Sequence, residues 1–95
     1  EYSDYEIIVC DGGSEDATCE IVRSFPGVLL LQTARGVSHQ RNAGAQKARG
    51  ELLVWMDADD VPSSQFLRSI ARSYKKFPFA VACPWFVARD SGVLV

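Results

Sequence analysis

The chain has 95 residues, an apolar and aromatic fraction of 47% and a formal net charge of -2. That length suits one small domain or part of a larger one, the apolar fraction argues against disorder, and the near-neutral balance gives no global case for nucleic acid. Three cysteines (Cys10, Cys19 and Cys83) without C-x-x-C spacing argue against a disulfide framework or a zinc site, and no apolar run approaches the ~20 residues of a membrane span.

The charges are unevenly spread. Residues 1–20 hold seven acids and no base, whereas residues 21–50 hold five bases (Arg23, Arg35, Arg41, Lys47 and Arg49) and no acid. Such a division is compatible with ordinary solvated surface, or with bases that line an anion site. The chain begins without a methionine, in an acidic, strand-like segment with no visible secretory leader, and is read as a piece of a longer protein.

In chain order, "YEIIVCDGG" predicts a buried strand over about residues 5–10, stopped by glycines. "SEDATCEIVRSF" predicts a helix with Ser14 as N-cap, Glu15 and Asp16 at its positive end, and Ala17, Ile21, Val22 and Phe25 on one apolar face. Pro26-Gly27 ends it. "VLLLQ" is a second strand and "TARGV" a loop. "SHQRNAGAQKAR" is a helix with a small packing side (Ala43, Gly44, Ala45, Ala48) and Gly50 as its stop. "ELLVWM" is a third strand. Pro62 and two serines open a further helix with Phe66, Leu67, Ile70, Ala71, Tyr74 and Phe77 on one face, and "FAVACPWFV" is a fourth strand. Cys10 and Cys83, inside apolar runs, are expected as reduced core residues.

This β-α-β-α-β-α-β order, with continuous apolar strand cores, predicts an α/β fold: an open, mostly parallel sheet with helices on both faces. Ligands of such sheets bind beyond the carboxyl ends of the strands. Asp11 and the cluster Asp57, Asp59 and Asp60 all follow such ends. Carboxylates this close repel one another unless a cation holds them. An Asp-x-Asp pair suits Mg²⁺ or Mn²⁺, which takes one or two protein carboxylates and completes its shell with water and phosphate. Asp pairs also serve as turn and helix caps, and Asp60 before Val61-Pro62 fits that simpler use.

Two other segments add to the picture. In "CDGGSEDAT", Gly12 and Gly13 let a flat ligand come close to the backbone, although a plain strand-to-helix turn explains the same residues. The dinucleotide fingerprint G-x-G-x-x-G is absent. "RGVSHQRNAG" sets Arg35, His39, Arg41 and Asn42 around a helix start, a place suited to anions. His39 is read as an exposed or capping histidine, and Arg41 as a ligand contact.

Taken in order, "IIVCDGGSEDAT", "ARGVSHQRNAGAQKARGE" and "LLVWMDADD" resemble the nucleotide-binding half of a family 2 glycosyltransferase of the GT-A fold, over about residues 5–68. The resemblance implies that residues 1–95 are part of a nucleotide-sugar-binding domain and that the enzyme uses Mg²⁺ or Mn²⁺. It gives Asp11 to the nucleotide base and Arg41, in the "RN" pair with Asn42, to the base and diphosphate. It places Asp57 near the ribose or metal and makes Asp59 the metal ligand. It implies transfer of a sugar from a nucleotide-diphosphate donor to an acceptor hydroxyl of a lipid, polysaccharide or protein, with inversion. A cytoplasmic location follows, or the cytoplasmic face of a membrane reached through segments outside this chain.

The chain departs from the family pattern in three ways. Gly12 stands where many members carry a second aspartate. The opening strand of the type "sviiPvyNe" is missing. No acid is assigned as catalytic base, Asp90 being the only acid after Asp60. Two rival readings stand beside this one. "LLVWMDADDV" also resembles the D-x-D-x-[TV] strand of a haloacid-dehalogenase-type phosphatase, with Asp57 as nucleophile and Asp59 as acid/base. The other is a non-catalytic nucleotide-binding or structural α/β fragment.

Overall fold

An apolar run after the acidic start forms β1, Ile8–Asp11, in the computed structural model of the protein, which describes residues 3–76. Helix α1 spans Thr18–Arg23, strand β2 Leu29–Gln32, helix α2 Val37–Lys47 and helix α3 Phe66–Lys76. Strands β1 and β2 pair in parallel, Ile8 opposite Leu29 through Asp11 opposite Gln32. The ladder is carried on at both ends. The Leu29 N–H donates to the Ile7 carbonyl at 3.1 Å, and the Thr33 N–H to the Asp11 carbonyl at 2.9 Å. Parallel neighbours need a crossover, and α1 supplies it. The α/β class with a parallel sheet, an incomplete version of the GT-A type, is therefore what the chain adopts.

Helix α1 starts three residues later than the sequence predicts, and Ser14 is not its cap. Ala17 takes the N-cap position without a side-chain bond. The Asp16 carboxylate accepts the Thr18 N–H at 3.0 Å and the Thr18 hydroxyl instead, which holds Asp16 below its ordinary pKa, the hydroxyl contributing most. Ser14 belongs instead to the Asp11 loop, where its N–H donates to Asp11 Oδ2 at 3.0 Å. Of the four residues expected on the apolar face, Val22 is half-buried, whereas Ala17, Ile21 and Phe25 are exposed. Six residues are under two turns, too short to lay a full stripe against the sheet.

Helix α2 follows the sequence closely. Its small side packs: Gly44 is buried, and Ala43, Ala45 and Ala48 are half-buried. A Cβ at Gly44 would stand 3.0 Å from the Cys10 sulfur, so the glycine sets how closely α2 approaches β1. Cys10 is a free, half-buried thiol there. The helix ends at Lys47, before Gly50, where Ala48 turns extended (ψ 139°). Glu6 catches the exit, accepting the Arg49 N–H at 2.7 Å and facing the Arg49 Nε at 3.5 Å.

The third expected strand does not form. Residues 52–56 have no ladder, and Leu53, Val54, Trp55 and Met56 are exposed. Apolar content alone does not make a strand: its N–H and C=O groups need a paired neighbour. Among the described residues the sheet has only β1 and β2. No apolar side chain is fully buried among them, as befits a two-stranded sheet.

The chain divides into two compact units, one within Tyr2–Asp60 and another beginning at Val61. In the second, α3 half-buries Phe66, Leu67, Ile70, Ala71 and Tyr74, the face read from the sequence. The fourth expected strand, Phe77, Cys83 and Asp90 lie outside the described residues. Among the described residues no helix is long and apolar enough to cross a membrane.

Candidate functional site

The carboxyl end of β1 opens into the loop Asp11–Ser14. Asp11 is 4% exposed, the one buried polar side chain among the described residues. Its Oδ2 accepts the Gly13 N–H at 3.1 Å and the Ser14 N–H at 3.0 Å. The Ser14 hydroxyl first, and then these amides, hold the carboxyl down to about 2, outweighing the opposing effect of burial. Burial, and then the neighbouring Asp11 carboxylate, pushes the Cys19 thiol up, away from thiolate chemistry. Asp11 is thus a pin, charged at neutral pH, that shapes its own loop. Gly13 has φ of 95°, a region that side-chain-bearing residues rarely adopt. A Cβ built on it meets nothing within 4 Å, so the space beside this peptide is open.

Helix α2 faces the same loop with its first turns. Gln40 Nε2 donates to the Cys10 carbonyl at 2.9 Å. Arg35, in the turn before the helix, donates from Nε to the Gly12 carbonyl at 3.3 Å and from Nη2 to the Gly13 carbonyl at 3.2 Å. Sequence reasoning gave Arg35 only a general place near the helix start and overlooked Gln40. The signal was available: Gln40 is one turn before Gly44, on the face that meets β1. Arg41 and Asn42 follow on the exposed side of α2, and His39 is exposed as expected.

The acid cluster is a tight exposed turn. The Asp60 N–H donates to the Asp57 carbonyl at 3.0 Å, and the Asp57 N–H to Asp60 Oδ2 at 2.9 Å. Asp60 therefore closes the turn rather than capping a helix. Asp57 lies 3.9 Å from Arg41 Nη2, and the Arg41 guanidinium sits 5.7 Å from the Trp55 ring centre. Two segments predicted independently, the "RN" pair and the Asp-x-Asp pair, are in this way brought side by side. Trp55 is a further member of the site that its place in a presumed buried strand concealed. Asp59 is exposed on the same turn.

No group of three or more His, Cys, Asp or Glu side chains able to hold a metal ion occurs among the described residues. A two-carboxylate set such as Asp57 and Asp59 does not make a closed protein cage. It fits an ion whose remaining positions are filled by water and phosphate, the usual habit of Mg²⁺.

A family model described as glycosyl transferase family 2 matches residues 1–94. The chain is 29% identical over 91 residues to the uncharacterized glycosyltransferase YfnE of Bacillus subtilis, covering 90% of this chain and 23% of that protein. It is 35% identical over 71 residues to glycosyltransferase AglE of Haloferax volcanii, covering 68% and 23%. To the cholesterol galactosyltransferase of Borreliella burgdorferi it is 30% identical over 88 residues, covering 87% and 25%. The chain spans about a quarter of the length of these curated relatives. No solved structure matches it.

Proposed function

The chain belongs to glycosyl transferase family 2, and from that premise we propose that the full-length protein transfers a sugar from a nucleotide-diphosphate donor to an acceptor hydroxyl. The observation that carries this reading is the meeting of Arg41 and Asp57 at 3.9 Å. It brings the base that this reading gives to the diphosphate next to the acid that it gives to the metal.

Each residue then has a distinct task. Gly13 leaves room for a flat base to lie against the loop, and Asp11 keeps that loop in shape beside the base. The Arg41 guanidinium presents a planar fork of donors to phosphate oxygens, a match that an ammonium lacks. Asn42 adds amide donors at the same helix start. Asp57 and Asp59 would hold Mg²⁺ or Mn²⁺. Such an ion, when bound, neutralises charge on the departing nucleoside diphosphate. Trp55 supports Arg41 from its ring face, where a cation is favoured. A base from elsewhere in the protein takes the proton of the acceptor hydroxyl, and attack from the face opposite the leaving group inverts the anomeric carbon.

The acceptor class we propose is a lipid or polysaccharide hydroxyl, reached at the cytoplasmic face of a membrane. A relative whose name joins galactose to cholesterol supports a lipid acceptor. The phosphatase alternative is set aside because the family model and the relatives named above are glycosyltransferases. The test is Asp59→Ala in the full-length protein. Loss of sugar transfer is expected, and retained transfer with metal-independent donor binding would overturn the assignment.

A further inference from the structure

The proposed donor site is built from two pieces of chain that are far apart in sequence. One is the Asp11–Ser14 loop at the end of β1, and the other is the start of α2 with Arg41 and Asn42. Three side-chain hydrogen bonds join them, and all three come from Arg35 and Gln40. Arg35 closes on the carbonyls of Gly12 and Gly13, and Gln40 on the carbonyl of Cys10. The Cys10 carbonyl lies in β1 just before the loop and the Gly12 and Gly13 carbonyls lie within it, so the loop is held at its root and at its tip.

Packing enforces the same link. A Cβ on Gly12 would stand 3.1 Å from the Gln40 Cδ and 3.2 Å from both the Gln40 Oε1 and the Arg35 Cα. The space that a side chain at position 12 would use is taken by Gln40 and the Arg35 backbone. A side chain at position 12 would press on the Gln40 amide and the Arg35 backbone, one of which would have to shift. Farther along α2, Gly44 against Cys10 fixes the helix at the next turn.

We infer that Arg35 and Gln40 are positioning residues that lock the Gly12–Gly13 loop to the first turn of α2, so that the two halves of the donor site meet a nucleoside diphosphate as one rigid surface. Preorganisation of this kind strengthens binding by removing the ordering cost from the binding step. Arg35 is suited to it because a guanidinium carries five N–H donors in a fixed plane. Two of them, on Nε and Nη2, reach the neighbouring carbonyls of Gly12 and Gly13. Gln40 is suited because an uncharged amide can bond a carbonyl in a half-buried place without the desolvation cost of a cation.

The inference rests on the proposed donor-binding role, and its test separates the two. The full-length protein is titrated by calorimetry with uridine, guanosine, adenosine and cytidine diphosphates in the presence of Mn²⁺, as wild type and as Gln40→Leu, Arg35→Met and Arg35→Lys. Donor KM, acceptor KM and kcat are measured on the same proteins. Loss of one or two hydrogen bonds should weaken nucleotide binding about tenfold in Gln40→Leu and in Arg35→Met. Donor KM should rise in step, while acceptor KM and kcat stay within about twofold. Arg35→Lys keeps one donor and should recover part of the loss, and it carries the test if Arg35→Met does not fold. A wild type that binds none of the four nucleotides overturns the donor-site reading and the inference with it. A wild type that binds, with variants that bind equally well or lose only thermal stability, overturns the inference alone.

Discussion

The loop after Asp11 and the turn at Asp57–Asp60 are both acidic and both follow an apolar run, yet they fold in opposite ways. The first is pinned by a buried group: the Asp11 carboxylate is 4% exposed and takes two backbone N–H groups of the loop. The second is exposed, held by two bonds within the turn and one long ion pair to Arg41. The difference lies in what each apolar run has beside it. Residues 8–11 have β2 as a ladder partner and α2 as a cover, so the loop at their end is rigid. Residues 52–56 have no ladder, so the acids at their end rest on local turn geometry. The loop is tied to the sheet and to α2, whereas the Asp-x-Asp turn, where we propose a cation and a phosphate bind, is held by its own local bonds.

The largest expected effect breaks the second region at its chemistry. In the full-length protein Asp59→Ala should lower kcat/KM for sugar transfer by at least about a thousandfold, on the scale of several kcal/mol of lost charge stabilisation. The fold should be unaffected, because Asp59 is exposed. A kinetic assay with matched circular dichroism checks both halves of that statement.

Next in size is a break in the first region at its packing. Gly44→Val would drive side-chain carbons into the Cys10 sulfur, from which even a Cβ stands only 3.0 Å away. Forcing α2 off β1 should cost roughly 1–3 kcal/mol in urea unfolding, the usual range for overpacking. A change at Asp59 that destabilised the protein as much as this one would erase the contrast between the two regions.

The smallest effect sharpens the account of Asp11. Its carboxyl is lowered from 3.8 to about 2 in the folded protein. Between those values the unfolded chain binds more protons, so stability rises with pH there. The contribution is complete above the ordinary value and is lost as pH falls through about 2. Asp11→Asn keeps an oxygen for the Gly13 and Ser14 amides but does not titrate. Its stability should therefore fall less steeply than that of the wild type over this acid range, with Asp16 contributing the same sign in both proteins. Parallel urea titrations across that range read the difference.

Much of the first region was legible in the sequence. A strand was expected over about residues 5–10 and forms at Ile8–Asp11, and the small packing side of α2 is as expected; outside that region the half-buried face of α3 follows from helical spacing in the same way. These features depend on residues close in sequence and on one obvious neighbour. What failed depended on partners that the pattern does not name. Ser14 has the right chemistry for a helix cap, but Asp11 claims it first. Residues 52–56 have the right composition for a strand, but the described residues pair them with nothing. The site was legible by segment and less so by residue. Arg41 and Asp57 came together as the motifs implied, whereas Gln40, Arg35 and Trp55 entered it through long-range contacts that spacing alone does not reveal.

The most direct measurement is calorimetric titration of the full-length protein with nucleoside diphosphates, with Mn²⁺ and with a chelator in its place. Tight binding that needs the ion, and that vanishes in Asp59→Ala, is the predicted result. Equal binding with and without Mn²⁺, unchanged by Asp59→Ala, would contradict the claim that the Asp57–Asp59 pair holds the diphosphate through a divalent cation.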